Sequence, residues 1–348
     1  MKRFITVAAV LTGLILIGGL AAAFLLDHPL AARLTTRWLP PTVPAAGSPE
    51  EQSQEATAFR ALGRNVNGAL VWSSNREGNH ELFRADLSTG AVTRLTDHPH
   101  VDYLSRYSPD GRHISFLRSR RPWVSFREVD GWDLMIMNAD GSGQRRLVER
   151  VYHAMWTPDG RSITFIRDNK VMAVDVSSGQ ERLIYDGADE PTAGRIDEPM
   201  LGPDGRLAFA LKGVSRARRG VGILSLETRQ FERVSPEPSA CEIAWIGDTG
   251  RVVWIEGSGR GGTRVMHTAT PNGKPQVLID LPGAHSHEYF PVVTKDGHWL
   301  IWGAAAEGHE HDRADYEIFA WRIGTPAESA IRLTWSTSND QWPDLWVN

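Results

Sequence analysis

Short runs in which apolar and polar residues alternate, each following a turn signal, recur along most of this chain. Arg112-His113-Ile114-Ser115-Phe116 and Arg161-Ser162-Ile163-Thr164-Phe165 alternate with the two-residue period of a half-buried strand. His298-Trp299-Leu300-Ile301-Trp302 is apolar on both faces, as an inner strand covered on each side would be. Before each run stands a turn motif: Ser108-Pro109-Asp110-Gly111-Arg112, Thr157-Pro158-Asp159-Gly160-Arg161 and Gly202-Pro203-Asp204-Gly205-Arg206. Worn copies follow at Gly247-Asp248-Thr249-Gly250-Arg251 and Thr294-Lys295-Asp296-Gly297-His298. Asp-Gly supplies the positive φ that a tight hairpin turn needs. The glycines at 111, 160, 205, 250 and 297 are 49, 45, 45 and 47 residues apart, a spacing that marks a repeat architecture.

Each repeat contains four strand-like pieces and no helical period. The first unit reads Leu70-Val71-Trp72-Ser73-Ser74, Glu81 to Asp86, a Ser88-Thr89-Gly90 turn, then Val92 to Thr96, and it lacks an innermost strand. Asn339 to Val347 resembles that missing strand and has no unit of its own. Joining the two predicts a sixth blade, so the expected fold is all-β: a six-bladed β-propeller over 69–348, closed by N- and C-terminal strands. Closure removes exposed sheet edges.

The pattern differs ahead of residue 69. Met1-Lys2-Arg3 precedes 23 uncharged residues, Phe4 to Leu26, long enough for one N-terminal transmembrane helix. The expectation is a signal-anchor over 1–26; a signal peptide cleaved near Ala21-Ala22-Ala23 is the alternative. Either directs the propeller across the membrane, because Lys2 and Arg3 stay inside. No cysteine follows the run, which argues against a lipoprotein anchor. Residues 27–68, with Pro40, Pro41, Pro44, Pro49 and Glu50-Glu51-Gln52-Ser53-Gln54-Glu55, read as a flexible linker.

Ser74-Asn75-Arg76-Glu77-Gly78-Asn79, Arg94-Leu95-Thr96 and Ser108 to Arg112 closely resemble the repeat of the TolB-like, WD-repeat-like propeller family. The resemblance spans roughly residues 68–348. It implies the fold and leaves the activity open. The 42 residues of 27–68 are too few for the α/β domain that precedes TolB's own propeller, so TolB's role is not expected here. Similar propellers precede the hydrolase domain of prolyl-oligopeptidase-type peptidases. This chain has no Gly-x-Ser-x-Gly elbow, so that activity is not expected either.

Composition narrows the chemistry. The net charge of −4 argues against nucleic-acid binding. Cys241 is the single cysteine, expected as a small strand residue. Gly257-Ser258-Gly259-Arg260-Gly261-Gly262 fits a nucleotide fingerprint in letters only, since no helix follows it.

Two constellations remain. Folding 285–288 back about the Asp296-Gly297 turn brings it toward 305–309. His285, His287, His309 and His311, with Glu288 or Asp315, are then candidate ligands for Zn²⁺ or Mn²⁺, or merely a solvated loop. The second is acidic: Asp102, Glu242, Glu288 and Asp340, with Asp197-Glu198 nearby, are placed at the mouth of the central channel. There they attract a cation such as Ca²⁺ or a basic peptide, or instead cap strand ends. Basic loops at Arg118 to Arg127 and at Arg216, Arg218 and Arg219 are candidate grips for an acidic partner. The expected function is a membrane-anchored recognition scaffold facing the periplasm or cell exterior, for an envelope protein or glycan. The alternative is a metal-dependent hydrolase or lyase using the histidine corner.

Overall fold

A computed structural model of the chain describes residues 47–348 apart from 236, 258–263, 268–272, 282 and 307–309. The predicted transmembrane helix 1–26 and the first part of the expected linker, 27–46, lie outside these residues. Among the described residues no helix is long and apolar enough to cross a membrane.

The segment 49–63, expected to be linker, is instead helix α1 (Pro49–Gly63). Ser48 caps it with Glu51 in a reciprocal capping box, and Pro49 opens its first turn. Its charged face hid a narrow apolar one: Ala58, Phe59 and Leu62 are buried against Trp72, Phe83, Ile301 and Ile318. A helix burying two full side chains is part of the domain.

The remainder is an all-β propeller of four-stranded antiparallel sheets, six among the described residues. The first contains β1 (Gly68–Ser74), β2 (Glu81–Asp86) and β3 (Val92–Arg94). The second is β4 (Asp102–Tyr107), β5 (His113–Ser119), β6 (Trp132–Asn138) and β7 (Arg145–Val148). The third is β8 (Tyr152–Trp156), β9 (Ser162–Arg167), β10 (Lys170–Asp175) and β11 (Glu181–Asp186). The fourth is β12 (Arg195–Leu201), β13 (Arg206–Lys212), β14 (Gly220–Ser225) and β15 (Phe231–Arg233). The fifth is β16 (Cys241–Ile246), β17 (Arg251–Glu256), β18 (Arg264–His267) and β19 (Gln276–Ile279). The last is β20 (His287–Val293), β21 (Trp299–Ala305), β22 (Tyr316–Arg322) and β23 (Ile331–Arg332). The C-terminal β24 (Asp340–Val347) pairs with β1 from Gly68↔Val347 to Ser74↔Asp340, so chain ends share one sheet.

The turn glycines do what the motif requires. Gly111, Gly160, Gly205, Gly250 and Gly297 all have φ between 68° and 75°. In the first turn the Gly111 N–H donates to the Ser108 carbonyl, and Asp110 accepts from the Arg112 N–H.

The innermost strands share a feature without a glycine to announce it. Each register against its neighbour shifts at a bulge. Leu104, His153, Glu198, Glu242, Phe290 and Trp342, one per sheet, have φ between 47° and 61° there. Such bulges cost strain and re-aim a side chain. All six of these residues line a cavity on the central axis.

Candidate functional site

The loops joining second to third strands lie on the face opposite the Pro-Asp-Gly turns. On that mouth face the segment between β5 and β6 reaches over the axis. Phe126 packs on Trp342 (4.4 Å between ring centroids) and on His153 (5.1 Å). Trp342 in turn packs on Phe290, tilted by 45° with 4.0 Å between ring centroids, so aromatic rings obstruct the channel at this level. Asp312 fixes the segment, accepting from the Ser125 hydroxyl (2.5 Å) and the Phe126 N–H (3.1 Å), and Arg127 pairs with Glu310.

Beside Phe126 opens a basin of about 540 Å³. Its walls mix Arg127, Arg195 and Lys212 with Asp197, Glu198 and Glu242, and Tyr152, Tyr289, Cys241 and His311 complete them. Asp197 is held by Lys212 (3.1 Å), Arg195 (3.2 Å) and the His153 ring (3.8 Å). Burial raises the Asp197 pKa, but Lys212, His153 and Arg195 outweigh it and keep the carboxyl below its usual range. Glu198 accepts the Glu242 N–H, and Glu242 accepts the Phe290 N–H (2.5 Å), so neighbouring bulges are tied carboxyl to amide. Burial, with mutual repulsion, lifts Glu242 well above the carboxylate range, and burial lifts Glu198 to about 7. Burial also pushes the Cys241 thiol up, as expected of a small strand residue rather than a nucleophile.

These shifts set a pH dependence. Glu198 and Glu242 hold protons in the folded state that the unfolded chain has released, so their stabilisation is lost as pH rises through about 7. Burial lowers His80 to about 3 and His153 to about 4, so their contribution is present above about 6.5 and is lost on acidification. Above about pH 7 the unfolded chain's histidines are mostly neutral. There the raised carboxyls dominate, Glu317 (about 9) and Glu81 (about 7) together with Glu198 and Glu242, and the unfolding temperature is expected to fall towards about pH 8. Glu198→Gln is expected to flatten that slope. A flat or rising wild-type profile in calorimetry contradicts the assignment.

The predicted sites divide. The hairpin register is as expected, His287↔Ala305 and Glu288↔Ala304. It does not gather the histidines. The His285 ring lies 5.5 Å from Phe319, whereas His311 turns to the axis, 4.8 Å from Tyr289 and 3.8 Å from Glu242. Burial lowers both His285 and His287. Asp315 stands apart, raised to about 6 by burial and by Asp340. His309 lies outside the described residues. Among the described residues no three His, Cys, Asp or Glu side chains are placed to hold a metal ion.

Of the four acids expected at the channel mouth, Glu242 alone lines the axis. Asp102, Glu288 and Asp340 precede the bulge by two residues, where their fully buried carboxyls brace neighbouring strands. Asp102 takes a bidentate pair from Arg118 (2.8 and 2.7 Å). Glu288 accepts the Leu281 N–H (2.7 Å). Asp340 accepts from Trp72 Nε1 (3.1 Å) and Arg76 (2.9 Å), and Arg76 also holds Glu55 of α1 (2.8 Å). These are structural pairs, so a Ca²⁺ site built from all four acids does not form.

The basic loops are also internally engaged. Arg120 reaches Asp133 (3.4 Å) and Arg121 reaches Glu128 (2.5 Å), while Arg218 donates to the Pro191 and Thr192 carbonyls (2.8 and 2.7 Å). Residues 258–262 of the glycine-rich loop lie outside the described residues.

The turn face has its own bowl, of about 510 Å³. Tyr107, Trp156, Trp245 and Trp346 line it, with Trp156 Nε1 and Trp245 Nε1 latched to the carbonyls of Arg106 (3.1 Å) and Met200 (3.0 Å) in the preceding sheets. An aromatic just before the turn, Tyr107-Ser108-Pro109 and Trp156-Thr157-Pro158, was its available signal.

No protein-family model matches the chain, and no curated protein matches it. Solved structures do. TolB from Acinetobacter baumannii superposes with a TM-score of 0.60 at 13% identity, covering 82% of this chain and 69% of that one. Kuenenia stuttgartiensis hydrazine synthase gives 0.57 at 11%, covering 83% and 48%. Oligogalacturonate lyase from Vibrio parahaemolyticus gives 0.48 at 15%, covering 77% and 74%. The likeness establishes the fold. The fold is a β-propeller similar to that of TolB.

Proposed function

We propose that this protein is a non-enzymatic recognition propeller, a six-bladed ring that holds an envelope protein or glycan on its mouth face. The observation that carries this reading is the basin beside Phe126. Fixed cations and acids surround an open floor, and the channel beneath is obstructed by packed aromatic rings. A preorganised, charge-mixed surface favours recognition through polar and aromatic contacts. The metal-dependent hydrolase or lyase reading loses support because the His285 ring packs on Phe319 while His311 faces Glu242, and among the described residues no three ligating side chains converge.

The membrane anchor and extracytoplasmic placement rest on the 23-residue uncharged run after Lys2 and Arg3. A mature chain starting near Phe24 on N-terminal sequencing points instead to a cleaved signal. For recognition, the full chain is expected to capture a partner from envelope extracts or a glycan from an array. Arg127→Glu combined with Arg195→Glu is expected to abolish that capture while leaving the unfolding temperature within a few degrees. Identical capture by wild type and variant overturns the mouth-face assignment.

A further inference from the structure

At the turn end of the axis all six sheets contribute to the bowl of about 510 Å³. That is the size of a pocket for a small organic molecule. Much of its wall is apolar and within reach of solvent: Trp156, Met200, Leu201, Val293, Trp346 and Val347 are all half-buried. A contiguous apolar surface left open on a folded domain marks a place where something binds.

The polar chemistry of the bowl is one-sided. The hydroxyls on its rim donate to the carboxylates of their own turns, Ser108 to Asp110 (2.6 Å), Thr157 to Asp159 (2.6 Å) and Thr294 to Asp296 (2.5 Å). Trp156 Nε1 and Trp245 Nε1 are engaged with carbonyls of the preceding sheets. An anion or a sugar therefore meets few side-chain donors here. Among the described residues that line the bowl, the exposed carboxylates of Asp159 and Asp248 stand against a single side-chain cation, Lys295. Asp344 also lines it, but it is buried beside Arg106 and accepts the Tyr107 N–H (2.6 Å). Aromatic faces carry negative potential and attract cations. Trp245 already does so, with the Arg206 guanidinium 5.3 Å from its ring centroid.

We propose that the bowl is a site for a small organic cation, an alkylated ammonium carried on an apolar body. The body lies against Trp156, Trp346 and Met200, and the ammonium lies toward Asp159 and Asp248. A weakly hydrated ammonium suits a rim of aromatic faces and acceptors, and the apolar body covers the surface that the sheets leave open. A free molecule fits better than a peptide, because turns from all six sheets ring the bowl and a crossing chain must ride over them on both sides. The site lies on the face opposite the basin and does not depend on what the basin holds.

Benzyltrimethylammonium is the probe, with benzyl methyl sulfone and phenylmethanesulfonate as neutral and anionic counterparts of similar size. Titration of the full chain, followed by tryptophan fluorescence, is expected to show the cation binding about tenfold more tightly than the sulfone, with the sulfonate weakest. Lys295→Ala is expected to tighten the cation about twofold, and Asp159→Asn with Asp248→Asn to weaken it by about the same factor or more, with the sulfone unchanged. All three positions are exposed on turns, so the variants are expected to fold. Equal affinity for the three probes, a preference for the sulfonate, or a cation affinity that none of these substitutions moves overturns the proposal. A protein cross-linked through the bowl, with no affinity for benzyltrimethylammonium, also overturns it and assigns the bowl to a macromolecular partner.

Discussion

Asp340→Ala is expected to destabilise the domain by about 3–5 kcal/mol, the range for removing one partner of a buried ion pair. Three reasons converge on this residue. Its carboxylate is fully buried, it balances Arg76 at 2.9 Å, and it accepts the indole N–H of the fully buried Trp72 at 3.1 Å. Arg76 in turn holds Glu55 on α1. Loss of Asp340 therefore loosens three elements at once: β24, β1 and the helix. Because β24 and β1 join the chain ends, the damage falls where the sheet is closed by residues 264 positions apart, Arg76 and Asp340. Lys295→Ala, on an exposed turn, is the control, expected within about 0.5 kcal/mol of wild type. Chemical denaturation reads both. A loss at Asp340 no larger than the control shows that the Arg76 bridge does not form.

Phe59→Ala is expected to cost about 3–5 kcal/mol, as for other fully buried aromatics cut back to alanine. Phe59 has no exposed surface, and its ring lies 5.7 Å from that of Trp72. Were residues 49–63 a solvated tether, the substitution would change stability by a few tenths of a kcal/mol at most. Denaturant titration of the full chain separates these outcomes. Ser48→Ala, which removes the N-terminal cap, is expected to cost about 1 kcal/mol and sets a scale for the helix's own contribution.

The repeat was legible because turn chemistry is local. A positive-φ glycine after aspartate is demanded by the hairpin itself, so it recurs wherever the hairpin does. The equivalence of Glu288 and Ala304 likewise followed from counting residues out from Asp296, and the strands pair that way. The helix was not legible, since Glu50, Glu51, Gln52, Ser53, Gln54 and Glu55 swamp the apolar positions Ala58, Phe59 and Leu62. The capping pair Ser48 and Glu51 was the available clue.

The candidate site was hidden for a different reason. The bulges place Leu104, His153, Glu198, Glu242, Phe290 and Trp342 at positive φ, and no residue type common to these six marks the position. A bulge inserts one unpaired residue and so reverses which side chains face the axis. Asp102, Glu288 and Asp340 were aligned with one another correctly and assigned to the wrong side of that reversal. Glu242, grouped with them by its charge, is the bulge residue itself.

The central claim is that recognition takes place on the mouth face. Photo-crosslinking in cells tests it most directly, with benzoylphenylalanine placed singly at Val129 or at Lys295. Val129 is 47% exposed beside the basin, and Lys295 is exposed on the turn face. The account predicts a discrete adduct from position 129, lost on adding Arg195→Glu, and none from position 295. An adduct from position 295 alone contradicts it, and assigns recognition to the aromatic bowl between the Pro-Asp-Gly turns.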